Sequence, residues 1–142
     1  MSENVSDFME KHSVRYLEMA LRTDKREIPD CPDGFGKRTG GCGDTVEMFL
    51  QVKDDRIRYV SFDTDGCLDT HACCNTVACL SEGKKVAEAW ELTPEAVITY
   101  LETLSPGHHH CAELAVGALY QALNNHHQLR RSPWKKAYGV RR

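Results

Sequence analysis

Long apolar stretches, an excess of positive charge and closely paired cysteines are all missing from this 142-residue sequence. Its longest apolar runs fall far short of the ~20 residues that cross a bilayer, so no membrane interaction is expected. The net charge is −3, which argues against a generally basic nucleic-acid-binding protein. Residues 1–10 carry acidic side chains and lack the apolar segment of a secretory signal peptide, so we expect a cytoplasmic protein.

Cysteine is abundant, but its spacing is unusual. Seven cysteines occur and no two of them form a CxxC pair, so neither a zinc ribbon nor a thioredoxin-like motif is predicted. An odd number of cysteines in a reducing compartment argues against a full disulfide framework. These observations leave three roles for the cysteines: free thiols, metal ligands and participants in sulfur chemistry. Any metal site must therefore collect its ligands from segments that are distant along the chain.

Length and composition predict one globular domain. Hydrophobic residues make up 41% of the chain and charged residues 27%, which is typical of a folded protein rather than a disordered one. We assign residues 1–129 to a single domain. Residues 130–142 form a basic tail without acidic residues, which we expect to be solvated.

A β-hairpin is predicted in the first half of the chain. Glycine and proline crowd the segment before it, which predicts a loop with a short strand near residues 35–39. Apolar residues alternate with other residues over 46–52, which predicts a half-buried strand. Asp54 and Asp55 supply a tight turn into a second strand over residues 56–63.

Helical patterns occupy most of the remaining chain. Apolar residues recur at spacings of three and four, as they do on one face of a helix. The predicted helices are residues 6–22 with Ser6 as N-cap, 70–81 ended by Gly83, 86–90, 93–104 started by Thr93-Pro94, and 110–129. Together these elements predict an α+β fold, a small antiparallel sheet of about three strands with helices packed on one face.

Three cysteines stand at the boundaries of predicted elements. Cys42 lies between two glycines just before a strand, Cys67 between a strand and a helix, and Cys111 in the first turn of the last helix. The thiolate is the nucleophile and the metal ligand, and a helix N-terminus lowers the pKa of a thiol placed there. We therefore predict chemistry at these positions rather than simple packing.

Several neighbouring residues have both a chemical and a structural interpretation. Asp44 offers an oxygen ligand near Cys42, or it simply braces the loop. His110 precedes Cys111, where it can ligate a metal, shuttle a proton or cap the helix. We interpret Cys73, Cys74 and Cys79 as packing residues of a helix, although Cys73 and Cys74 could also serve as auxiliary thiols. Cys31 is predicted to be a surface thiol, and His126 and His127 are predicted to lie on an exposed helix face.

The three cysteines recur within longer segments that fit one known pattern. These segments are Gly41-Cys42-Gly43-Asp44 before an alternating strand, Gly66-Cys67 before the small-residue helix Ala72-Cys73-Cys74-Asn75, and Leu104-Ser105-Pro106-Gly107-His108-His109-His110-Cys111-Ala112. In this order the segments resemble the IscU/NifU N-terminal iron–sulfur scaffold family, over roughly residues 16–123.

The resemblance implies a scaffold rather than an enzyme. Such a protein receives persulfide sulfur from a cysteine desulfurase, builds a labile [2Fe–2S] cluster and passes it to apo-acceptor proteins. Cys42, Cys67 and Cys111 would be ligands, with Asp44 or His110 as the fourth, and Cys111 or Cys42 would accept the sulfur. The Asp44 carboxylate would favour release, because it is a harder ligand than a thiolate. Zn²⁺ could occupy the same ligands in purified protein.

The chain also departs from the family pattern. Residues 23–26 replace the usual N-P-R-N stretch, and residues 107–108 replace Val-Lys, which puts recognition by the family's Hsp70-type chaperone in doubt. Cys73 and Cys74 replace small hydroxyl residues. One alternative function is a zinc-dependent sulfurtransferase similar to SufU, although the insertion found in SufU proteins is missing here. The other alternative is a non-catalytic interaction protein, in which the cysteines are structural and the basic tail binds an acidic partner. A homodimer is left open.

Overall fold

The computed structural model describes residues 12–132, and its three strands form one antiparallel sheet in the order β1–β2–β3. The strands are β1 (Gly34–Thr39), β2 (Thr45–Lys53) and β3 (Arg56–Thr64). The helices are α1 (Val14–Leu21), α2 (Leu68–Ser81), α3 (Val86–Ala89), α4 (Pro94–Leu101) and α5 (His109–Arg131), the last preceded by a 3₁₀ turn at Pro106–His108. The predicted α+β class, with helices against a small antiparallel sheet, is confirmed.

The β2–β3 hairpin forms where the sequence predicts it. Asp54 and Asp55 have φ angles of 53° and 63°, the left-handed pair of a type I′ turn that matches the twist of antiparallel strands. Met48 then lies opposite Phe62 in the register of the two strands. Both side chains are completely buried, so the turn brings two core residues into register.

Helix α5 packs directly on β1 because two glycines leave room for its backbone. A Cβ atom at Gly36 would lie 2.2 Å from the Ala118 carbonyl oxygen, and one at Gly34 would lie 2.6 Å from the Ala122 carbonyl oxygen. Any side chain at either position would force the helix away from the strand. The N-terminal part of α5 is therefore directed toward the far end of β1, where the β1–β2 turn begins.

The prediction that β2 is half-buried is wrong for its first half. Glu47 is 6% exposed and Phe49 is 2% exposed, although both point away from the helix-covered face. The Phe49 ring packs against the Phe35 ring of β1, with ring centroids 5.3 Å apart. Cross-strand packing of this kind buries the second face of the sheet locally, and alternation along a single strand does not reveal it.

Helix boundaries follow the local capping chemistry. The Ser13 hydroxyl accepts the backbone N–H of Tyr16 and starts α1, whereas the predicted N-cap Ser6 lies outside the described residues. Thr93 caps α4 as predicted. The predicted end of α4 at residue 104 is three residues too late, because Glu102 adopts a left-handed φ of 64°.

The last helix is longer than predicted. It continues through Arg131 with Ser132 as its C-cap, so the first two residues assigned to the basic tail are helical, and residues 133–142 of the tail lie outside the described part of the chain. Basic residues in a last turn complement the partial negative charge of a helix C-terminus. None of the helices within residues 12–132 has the length and apolar composition of a membrane span.

Candidate metal centre

The β1–β2 turn, the start of α2 and the start of α5 meet at one end of the sheet. The backbone N–H of Thr45 donates to the Asp65 carboxylate at 2.8 Å, which joins the start of β2 to the segment entering α2. A Cβ at Gly40 would lie 3.5 Å from a Leu114 methyl carbon, so the turn also touches the first turns of α5. The segments that carry Cys42, Cys67 and Cys111 are thus neighbours.

Cys42 lies at the tip of the β1–β2 turn. The backbone N–H of Gly43 donates to the Gly40 carbonyl at 3.0 Å, and that of Gly40 donates to the Asp44 carbonyl at 2.9 Å. Gly43 has a φ of +94°, which glycine adopts without a steric cost. The turn therefore holds the Cys42 thiol in solvent, with the half-buried Asp44 two residues away.

Thr70 links Cys67 to Cys111. Its hydroxyl donates to the Cys111 Sγ at 3.5 Å and lies 3.8 Å from the Cys67 Sγ. Thr70 is completely buried, and it packs so closely on Gly66 that a Cβ there would lie 2.7 Å from the Thr70 side chain. Two cysteines that are far apart in sequence are thus gathered around one hydroxyl.

Sequence reasoning missed Thr70. The available signal was its spacing, because Cys67 is the N-cap of α2 and Thr70 stands three residues later on the same helix edge. That spacing alone connects Thr70 to Cys67. It says nothing about Cys111, which arrives through the packing of α5.

A polar network surrounds the two gathered cysteines. His110 Nε2 lies 3.7 Å from the Cys111 Sγ. The Asp69 carboxylate accepts a hydrogen bond from the Tyr16 hydroxyl and lies 3.3 Å from His108 Nδ1. Burial, followed by the bond and charge of Asp69, raises the pKa of the Tyr16 hydroxyl well above its ordinary value. Asp69 was also missed, since an acidic residue in a first helical turn is too common to single out.

Burial controls the acidity of Cys111. The pKa of this thiol is raised from 9.0 to about 11, chiefly by burial; the Thr70 hydrogen bond opposes the rise, and the charges of Cys67, Asp69 and Cys42 contribute to it. The expected lowering by the helix N-terminus is therefore outweighed at Cys111.

The predicted ligands lie at one end of the sheet without forming a coordination shell. Within residues 12–132, no three His, Cys, Asp or Glu side chains are grouped closely enough to hold a metal ion. The donor types nevertheless fit soft metals and iron–sulfur clusters, because thiols are supplied by three separate segments and imidazole and carboxylate stand beside them. The ligand set Cys42, Cys67, Cys111, Asp44 and His110 stays a prediction.

The remaining cysteines differ in exposure. Cys73 and Cys74 are completely buried, as expected for packing residues of α2. Cys31 is an exposed thiol, also as expected. Cys79 was predicted to be buried and is exposed, because its position on α2 lies outside the face that packs on the core.

One histidine prediction is wrong. His126 was placed on an exposed helix face with His127, but it is 7% exposed. Its Nδ1 lies 3.0 Å from the Asp33 carbonyl oxygen, to which it must donate because a carbonyl only accepts. His127 is exposed as predicted.

Comparison with known sequences finds relatives over most of the chain. Residues 34–132 match the family described as the NifU-like N terminal domain. The iron–sulfur cluster assembly scaffold proteins IscU 1 and IscU 2 of Archaeoglobus fulgidus are each 34% identical over 101 residues, which cover 69% of this chain. The iron–sulfur cluster assembly protein IscU of Plasmodium falciparum is 29% identical over 87 residues, or 61% of this chain. The matched segment spans 66% of each Archaeoglobus relative and 53% of the Plasmodium relative.

Solved structures share the fold. A NifU-like protein (N-terminal) of Brucella abortus superposes with a TM-score of 0.67 at 17% identity, covering 82% of this chain and 94% of that one. FiSufU of Fervidobacterium islandicum, named for the SUF system, gives a TM-score of 0.66 at 19% identity, covering 80% and 97%. At these identities the likeness concerns the fold alone.

Proposed function

The chain belongs to the NifU-like N-terminal domain family, and we propose that it is a scaffold on which an iron–sulfur cluster is assembled and from which the cluster passes to apo-proteins. The observation that carries the proposal is the gathering of Cys67 and Cys111 around the Thr70 hydroxyl, at 3.8 Å and 3.5 Å. The end of the sheet where this occurs also holds the Cys42 turn.

Three thiolates bind the iron in this proposal, those of Cys42, Cys67 and Cys111. Thiolates are the usual ligands of iron–sulfur clusters, and each of these comes from a different segment. His110 or Asp44 completes the set, His110 because its Nε2 already lies 3.7 Å from the Cys111 Sγ and Asp44 because it shares the Cys42 turn. The exposure of Cys42 and Cys67 gives iron access from solvent.

Sulfur arrives from a cysteine desulfurase as a persulfide on Cys111 or Cys42. Cys42 is the more accessible of the two thiols. Cys111 is 1% exposed, so its loading requires this end of the molecule to open, but the Thr70 hydroxyl is placed to stabilise its thiolate. Two irons and two sulfides complete a [2Fe–2S] cluster, for which the family resemblance is the support.

Release of the cluster depends on its weakest ligand. A carboxylate binds iron less strongly than a thiolate does in such a site, because it is a harder donor. With Asp44 as the fourth ligand, this carboxylate is the residue that keeps the cluster transferable. Zn²⁺ can occupy the same thiolates in purified protein, since its tetrahedral sites take sulfur and nitrogen ligands.

Anaerobic reconstitution tests the ligand set. Iron, L-cysteine and a bacterial cysteine desulfurase are supplied, and cluster absorbance and acid-labile sulfide are measured per chain. We expect Cys42→Ser, Cys67→Ser and Cys111→Ser each to lose most of both signals, while Cys31→Ser, which removes an exposed thiol elsewhere, keeps them. Unchanged yield in all three site variants would overturn the proposal, as would tightly held zinc with no sulfide in the wild-type chain.

A further inference from the structure

A pocket lies between α3 and the last turns of α5, beside the β2–β3 turn. Its volume is about 330 Å³, which is at the small end of the range for ligand pockets. Val86, Ala87 and Trp90 supply the wall on the α3 side, and Leu123, His126 and Arg130 of α5 lie opposite them. Strand β2 begins at the candidate metal centre and ends at the turn beside this α3–α5 pocket. The two sites are therefore at opposite ends of the sheet.

Trp90 is a rigid but half-open part of the pocket wall. Its ring stacks on the Tyr120 ring, with ring centroids 5.4 Å apart and planes inclined by 24°. The Tyr120 hydroxyl donates in turn to the Leu92 carbonyl, which fixes the pair. Trp90 nevertheless remains 43% exposed. An aromatic ring that is held in place with open apolar surface is suited to packing against another large side chain.

A buried hydrogen-bond acceptor in the same pocket lacks a partner. His126 is 7% exposed, and its Nδ1 donates to the Asp33 carbonyl. In the neutral ring Nε2 is therefore an acceptor. Within the described residues no group forms a hydrogen bond to this Nε2. Because a buried acceptor without a partner costs free energy, an occupant of the pocket that brings a donor is favoured.

The chain leaves its described part close to this pocket. Leu123, His127 and Arg130 line the pocket at spacings of four and three residues, as expected for one face of α5. The helix rises by about 7 Å from His127 to Ser132, and two further residues of extended chain span about 7 Å. The side chain of Trp134, two residues beyond Ser132, is therefore within reach of the pocket.

We propose that Trp134 of the chain's own tail occupies the α3–α5 pocket. Its indole ring packs between Trp90 and Leu123, and its N–H is the donor that His126 lacks. The indole side chain suits both requirements, since it combines a large apolar surface with one donor and no acceptor. The first part of the tail is then bound to the domain instead of solvated. The inference does not depend on the proposed scaffold function, because the metal centre lies at the other end of the sheet.

Tryptophan fluorescence tests the docking in the full chain. The sequence contains two tryptophans, so Trp90→Phe leaves Trp134 as the single one and keeps an aromatic ring in the pocket wall. Quenching by acrylamide is measured with excitation that is selective for tryptophan. We expect at least about 90% of the chains to be docked, so Trp134 should be quenched about a tenth as strongly as an exposed indole.

Ala87→Phe is the variant that blocks the pocket. Ala87 is exposed on α3 and lines the pocket, so a phenyl ring there fills the space without entering the core. In the Trp90→Phe chain this change should raise the quenching of Trp134 about tenfold. Ala96→Phe is the matched control, because Ala96 is exposed on α4 and does not line the pocket. It should leave the quenching unchanged.

A second measurement uses the unmodified chain, in case Trp90→Phe itself weakens the pocket. Nuclear Overhauser contacts between the Trp134 indole and the methyl groups of Val86 or Leu123 are expected if the tail is docked. Absence of these contacts, together with equal quenching of Trp134 with and without Ala87→Phe, would overturn the proposal.

Chain concentration separates docking within one chain from docking into a second copy. Quenching should stay constant over about a hundredfold range of concentration, because an intrachain equilibrium does not depend on it. Quenching that falls as the concentration rises, with a dimer in light scattering, would assign the pocket to the tail of a second copy and overturn the intrachain proposal. Cluster assembly should match wild type in Ala87→Phe, so none of these outcomes decides the scaffold function.

Discussion

Thr70→Val tests whether the Thr70 hydroxyl controls the acidity of Cys111. With a pKa of about 11, about one Cys111 side chain in a thousand is a thiolate at pH 8. Hydrogen bonds to charged groups contribute about 1.5–3 kcal/mol, and the 3.5 Å contact to sulfur points to the lower limit. Loss of about 1.4 kcal/mol of thiolate stabilisation means about tenfold fewer thiolates at any pH below the pKa. Valine keeps the branched shape of threonine but cannot donate.

The assay is the pH dependence of alkylation at the Cys111 peptide with iodoacetamide, followed by mass spectrometry. The range runs from about pH 8 to about pH 12, so that it includes the expected wild-type midpoint at about 11. Steric shielding lowers the rate equally at every pH, whereas the change in acidity moves the midpoint upward. Thr76→Val is the matched control, because it removes a buried hydroxyl that donates only to the Ala72 carbonyl of the same helix. A Thr70→Val profile identical to wild type, or a wild-type midpoint near 9, would refute the reasoning.

Three further predictions concern packing, charge and release. Gly36→Ala should lower the free energy of unfolding by about 3 kcal/mol in chemical denaturation, because the added Cβ meets the α5 backbone, whereas Gly41→Ala has open space and should have little effect. Lys25→Ala breaks an ion pair with Glu82 at a 5%-exposed lysine and should cost about 3 kcal/mol; a loss under 1 kcal/mol, typical of a surface pair, would contradict it. Asp44→Ala should slow cluster transfer to an apo-ferredoxin, and an unchanged transfer rate would count against a carboxylate role in release.

Local chemistry made much of the fold predictable. The Asp54-Asp55 turn and the Thr93 cap depend on residues within a few positions of each other, so the sequence carries them directly. The burial of Phe49 depends on a ring from another strand, and alternation along β2 does not report it. His126 was predictable in retrospect, because it continues the buried stripe of α5 that contains Leu119 and Leu123.

In the candidate site, too, the features set by local sequence were predictable and those set by tertiary packing were not. Cys67 and Cys111 stand at helix starts that the sequence predicts within one or two residues. Their common contact with Thr70 depends on how α5 lies against α2, which no local pattern encodes. The acidity of Cys111 was misjudged for the same reason, since burial by neighbouring elements outweighs the effect of its own helix terminus.

Iron, zinc and acid-labile sulfide, measured in chain isolated from cells without exposure to air, test the central claim most directly. The account predicts iron and sulfide in equal amounts in the wild type and in Cys31→Ser, and loss of both in Cys67→Ser. Iron and sulfide that survive in Cys67→Ser at wild-type levels, or a wild-type chain that holds only zinc, would contradict it.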